Sequence, residues 1–345
     1  MQSKTISKVI SKKINDWLSS ITDEQLRRDL KSKIVVTGGC IASMFMNESV
    51  NDYDVYLTDK DIVKRIAQYY CNVFNERNKN RMNMLGHTGK AWVLDGEDVE
   101  KWIHNQKKLY EFAVGYGSDT EKVSGMIENT SRDRIKVMVN SDGIAEDSDS
   151  IADKNEYDIE KYIENVKELD DTDIEKFENV EKEDGEKYIP IFLSTNAITL
   201  SDKIQIVIRF YGEPDEIHEN YDFLHCTGYW TSKNNKVNIT AEALETLMNK
   251  VLIYRGSKYP IASLIRTRKF IKRGFHINAG QYLKMAFQIN KLDLNNIYVL
   301  EDQLVGVDSI YFLNFIDYMR KAIESGKEID ITGDYVLSVI DKVFG

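Results

Sequence analysis

The residues with the clearest capacity for chemistry are Asp52 and Asp54, one residue apart in the run Asn51-Asp52-Tyr53-Asp54-Val55-Tyr56-Leu57. The alternation reads as a β-strand, on which residues i and i+2 project from the same face. Two carboxylates on one face raise each other's pKa unless a cation lies between them. Hard cations such as magnesium prefer oxygen ligands. Upstream, Gly38 and Gly39 follow the apolar pair Val35-Val36 and lead into a helix predicted from about Cys40 to Met46. Paired glycines let backbone amides approach a phosphate, and the start of a helix adds positive potential there. A phosphate cradle followed by a two-carboxylate metal mount is what phosphoryl or nucleotidyl transfer needs. Either signal alone is more often a plain turn or a solvated strand edge. The order strand, Gly-Gly, helix, Asp-x-Asp strand is far more restrictive.

That order resembles the DNA polymerase beta-like nucleotidyltransferases. GGCIAS followed by NDYDVYLTD is most similar to the tRNA nucleotidyltransferase and poly(A) polymerase family, with Ala42 and Ser43 where that family carries Arg-Asp. The run YDFLHCTGYW is similar to a second segment of the family and makes Asp222 the third carboxylate, with Glu213, Asp119 and Asp133 as weaker alternatives. Residues 243–277 carry further matches at Pro260, Arg268, Gly274, Phe275 and Ile277. The resemblance implies a palm-like α/β (α+β) domain with a mixed sheet and a C-terminal all-helical domain. It implies two Mg2+ ions held by Asp52, Asp54 and Asp222. Gly38, Gly39, Ser43 and Arg268 would hold an NTP such as ATP. The implied reaction moves an NMP to a hydroxyl acceptor, an RNA 3′ end by resemblance.

The elements that must position these residues read off in order. Helical spacing of Ile6, Ile10, Ile14, Trp17 and Leu18, then Leu26 and Leu30, predicts two N-terminal helices over residues 1–32. A helix capped by Asp59 or Asp61 follows the Asp-x-Asp strand. Strands are expected at 91–94 and 134–139, with a helix at 100–112 between them. Residues 141–187 hold nineteen acidic side chains against six lysines, which marks a charge-biased insertion. β-structure returns as IPIFLS, NAITLS and IQIVIRF, then as a strand over 221–230 and a short one at 237–239. Residues 242–252 read as a helix start followed by a short link, and the last third reads as helices at 259–273, 278–289, 308–325 and 335–344. The domain expectation is therefore N-terminal helices at 1–32, a catalytic domain from 33–95 and 188–245, an insertion at 96–187, and a helical domain at 246–345.

Composition sets wider bounds. A 42% hydrophobic share over 345 residues supports substantial cores. Cys40, Cys71 and Cys226 are scattered, with neither disulfide nor zinc spacing. No run reaches the length of a membrane span, and MQSKTISKVISKK lacks a signal-peptide core, so a cytoplasmic setting without membrane contact is expected. The net charge of −10 opposes general nucleic-acid stickiness, although Arg266, Arg268, Lys269, Lys272 and Arg273 form a local basic stretch. That stretch reads either as a solvated helix face or as a contact for triphosphate or RNA. Two rivals to RNA modification stand beside it: nucleotidyl transfer to a protein or small molecule, and a non-catalytic binding protein on the same scaffold.

Overall fold

A computed structural model describes residues 1–77, 91–98, 132–139, 186–194, 196–294, 299–300 and 303. The expected helices at 100–112, 308–325 and 335–344, and nearly all of the acidic segment at 141–187, lie outside the described residues. The described chain divides into two compact units. The first runs to Ile217 and takes in Gly228–Ile239, and the second comprises His218–Thr227 and the chain from Thr240 onward.

The first unit is mixed α/β. Helices α1 (Ser3–Ser20) and α2 (Glu24–Leu30) precede strand β1 (Ile34–Thr37), helix α3 (Gly39–Met46), strand β2 (Tyr53–Leu57) and helix α4 (Lys60–Arg77). A two-stranded antiparallel sheet joins β3 (Ala91–Asp95) to β4 (Ile135–Val139). Then come β5 (Pro190–Leu193), β6 (Ala197–Leu200) and β7 (Ile204–Val207), the short helix α5 (Pro214–His218) at the unit boundary, and β8 (Tyr229–Thr231) with β9 (Lys236–Asn238). The seven-stranded sheet has the order β5-β6-β7-β2-β1-β8-β9. Within it β2 and β7 pair in parallel and the other neighbours are antiparallel.

Local chemistry explains the elements. The β-branched run Ile34-Val35-Val36-Thr37 is buried throughout, as a central strand requires. Asp23 caps α2 by accepting from the Leu26 amide at 2.9 Å, and Asp59 caps α4 by accepting from Ile62 at 3.1 Å. The β6–β7 hairpin turns through positive φ at both Asp202 and Lys203, the mirror-image geometry that suits strand twist. One face of the sheet supplies the core: Val36, Val55, Ile198, Ile204, Ile206 and Trp230 pack with Ile6, Ile10 and Ile14 of α1 and Ile66 and Phe74 of α4. Trp17 reaches its full burial with its indole N–H donating to the Tyr70 hydroxyl at 2.7 Å, so α1 and α4 are tied by a satisfied polar contact.

The second unit holds α6 (Ala241–Met248), α7 (Pro260–Lys272) and α8 (Ala279–Ile289). Thr240 and Asn278 cap α6 and α8, and Pro260 occupies the first turn of α7. Here the continuous strand expected over 221–230 is corrected. Phe223 makes a single bridge to Tyr254, and Leu224–Cys226 form a 3-10 turn. The Cys226 amide donates to the Phe223 carbonyl, while the Thr227 amide and hydroxyl both donate to Leu224. These local bonds consume groups a strand ladder would use, so β8 begins only at Tyr229.

Candidate functional site

Asp52 precedes β2 and Asp54 is its second residue. Tyr53, Val55 and Leu57 enter the core, so the pleat sends Asp54 to the opposite face. Both aspartates are half-buried. Pairing sets the neighbours of Asp54: Gln205 is its partner on β7, and Thr199 on β6 lies opposite Gln205. On the other side the β1 register runs Ile34↔Leu57, Val35↔Tyr56, Val36↔Val55, and its next step sets Thr37 beside Asp54. Thr37 pairs with Tyr229, which pairs with Asn238. Cross-strand partners share a face. Six strands of the sheet thus contribute one polar row: Thr199, Gln205, Asp54, Thr37, Tyr229 and Asn238.

Hydrogen bonds hold members of this row. The Gln205 amide reaches Thr199 Oγ1 at 3.4 Å. The buried Thr37 hydroxyl donates to the Gly228 carbonyl at 2.8 Å, fixing the entry to β8.

Helix α3 borders the aspartates. Gly38 is its N-cap with φ 92° and ψ −145°, a conformation that L side chains rarely adopt. Gly39 differs: a Cβ there would meet nothing within 4 Å. The Gly-Gly turn into α3 is therefore present, with the conformational demand on Gly38 alone. Cys40 is buried, and its thiol faces the Thr37 carbonyl at 3.8 Å. Burial pushes that thiol well up, and the negative charges of Asp54 and Asp52 push it further, so both carboxylates act on the first turn of α3. Ser43 lies in the middle of α3, buried, away from the amides of its first turn.

The other expected site residues belong to the second unit. Asp222 is 7% exposed and accepts from the Arg266 guanidinium Nη1 in an ion pair. Its carbonyl accepts from the Arg255 amide at 2.8 Å. Arg266 is one of five cations in the basic stretch over 266–273, and nothing in that stretch singles it out. Its partnership with a residue 44 positions away leaves no local signal. Arg268 is an exposed α7 side chain. Of the weaker acids, the Glu213 amide donates to the Glu216 carboxylate at 2.7 Å, the Asp133 carbonyl accepts from the Tyr211 hydroxyl at 2.9 Å, and Asp119 lies outside the described residues. Among the described residues no group of three or more His, Cys, Asp or Glu side chains is arranged to hold a metal ion. No described helix is long and apolar enough to cross a membrane.

A family model described as "Gabija anti-defense 2 family protein" matches residues 8–250, which include the whole seven-stranded sheet and both aspartates. A curated relative, "Gabija anti-defense 2" of Bacillus phage SPbetaL7, is 23% identical over 138 residues, 39% of this chain and 34% of the relative. The chain thus matches about a third of that relative's length. No solved structure matches.

These findings correct the resemblance to the tRNA nucleotidyltransferase and poly(A) polymerase family. With it fall the expected transfer of an NMP to an RNA 3′ end and the expected ATP and RNA binding. The motif that suggested them is short, and short polar signals at strand ends recur on many scaffolds. With its match extending over well more than half of the chain, this protein belongs to the Gabija anti-defense 2 family.

Proposed function

We propose that this chain counteracts the Gabija defence system inside a bacterial host, and that the polar face of its seven-stranded sheet, centred on Asp54, is its working surface. The observation that carries the reading is the family match over residues 8–250, within which this face lies. Its chemistry supports a working role: Asp52 and Asp54 sit half-buried at one end of β2, bordered by the left-handed Gly38 turn. A surface made only to be solvated needs no such arrangement.

The two carboxylates offer hard oxygen ligands, which fits a divalent cation such as Mg2+ with water completing its shell. A cation bound there would supply positive charge for an anionic oxygen of the target. Asp52 and Asp54 would hold it, while Thr37 and Gln205 fix the position of β2 between its neighbours.

The direct test is phage plating on hosts that carry Gabija and on matched hosts that lack it, with and without this chain. Restored plating in the Gabija host, with no effect in the matched host, is expected. Equal plating with and without the chain in the Gabija host would sink the reading.

A further inference from the structure

Helices α7 and α8 are amphipathic in the wrong sense for a finished core. The buried residues of α7 are Pro260, Ala262, Ser263 and Thr267, while the larger Leu264 and Ile271 are exposed. In α8, Gln281 and Met285 are buried, while Leu283 and Phe287 are 54% and 63% exposed. Leu264 and Ile271 are seven residues apart and Leu283 and Phe287 four apart, so each pair forms a stripe on its own helix. Large apolar side chains gathered on a surface mark an interaction site.

Charge indicates the occupant. Between Glu245 and Asp293 the sequence has ten Lys and Arg residues and no Asp or Glu, in a chain of net charge −10. Arg268 and Lys272 share the exposed α7 face with Leu264 and Ile271. Helices α7 and α8 both lie beyond the residues matched by the family model. A nucleic acid would use the cations but has no use for aliphatic anchors against phosphate. Exposed Leu264 and Ile271 beside Arg268 and Lys272 on α7 suit an acidic protein surface with apolar pockets.

We propose that the α7–α8 face of the second unit docks an acidic protein surface, and that this surface belongs to the Gabija defence complex. The partner's identity rests on the proposed function, whereas the docking face rests on these side chains. Phe287 and Leu283 are the anchors, and Lys272 contributes to attraction and orientation.

The experiment co-expresses the full chain with the tagged Gabija complex and measures both co-purification and phage plating. Variants are Leu283→Ser with Phe287→Ser, and Lys272→Glu, each checked by thermal melting. Co-purification of the wild type that weakens with salt, with at least a tenfold loss for the double variant at unchanged melting temperature, is expected. Wild-type protection with undiminished binding by both variants would overturn the docking face while leaving the proposed function intact. Absence of wild-type protection would overturn the proposed function and the named partner together. Binding to duplex DNA that Lys272→Glu weakens and the apolar variant does not would overturn the protein occupant.

Discussion

Asp54 stands beside Gln205 across the parallel β2–β7 pairing, the only parallel strand pair among the described residues of the seven-stranded sheet. A strand bonded on both sides cannot shift by one residue without turning Tyr53 and Val55 out of the core. The carboxylate is therefore held by the whole register of the sheet. Asp54→Asn and Asp52→Asn keep shape and volume while removing charge. Each is expected to stay within about 1 kcal/mol of wild-type stability. A larger fall in chemical denaturation would mean that these carboxylates serve the fold.

Magnesium gives an independent reading of the same pair. A cation that binds only the folded state stabilises it by mass action. Millimolar Mg2+ is expected to raise the melting temperature of the wild type and to leave the Asp52→Asn/Asp54→Asn double variant unmoved. An equal rise in both proteins would place the cation elsewhere.

The two glycines of the α3 turn should separate cleanly. Gly38→Ala forces a Cβ into a positive-φ conformation and is expected to cost about 1–2 kcal/mol. Gly39→Ala meets open space and should cost less. Equilibrium unfolding of both variants checks this, and equal losses would contradict it.

Acid should expose two buried groups with one sign. Burial pushes His225 down to about 4, with nearby Arg273 acting in the same direction and Asp222 opposing. Its ring lies among Phe223, Phe270 and Phe275. A histidine with a depressed folded pKa contributes stability above the unfolded value of about 6.5, and loses it as pH falls toward 4. His225→Phe is expected to flatten that part of the stability–pH curve. An unchanged slope between pH 6.5 and 4 would refute the buried neutral ring.

At lower pH the carboxylate of Asp95 takes over. Burial alone would raise it, but the ammonium groups of Lys64, at 2.7 Å, and Lys60, at 2.9 Å, hold it down to about 2. Its contribution is present above about 4 and is lost as pH falls toward 2. The stability gap between wild type and Asp95→Asn should narrow over that interval, as followed by denaturant titrations. A gap that does not change with pH would rule out the ion-pair account.

The parts of the fold legible in the sequence are those set by local pattern. The helical spacing of Ile6, Ile10 and Ile14, the cap expected at Asp59 or Asp61, and the alternation around Val55 all act within a few residues. The parts that were not legible depend on distant partners. Nothing near Asp222 announces Arg266, and nothing near Leu224 announces the 3-10 turn that interrupts its strand. The polar row crossing six strands was equally hidden, because it depends on strand order and register. Family membership is hidden from the motif for a related reason. A Gly-Gly turn beside an Asp-x-Asp strand specifies a local geometry, whereas the family match rests on residues 8–250 as a whole.

Phage plating with the Asp54→Asn variant tests the central claim most directly. The variant and the wild type are brought to equal abundance in a Gabija-carrying host, alongside Lys12→Ala, an exposed position on α1 away from that face, as a control. The account predicts that wild type and Lys12→Ala restore plating while Asp54→Asn loses at least tenfold of that effect. Full protection by Asp54→Asn would contradict the assignment of the working surface to this face of the sheet.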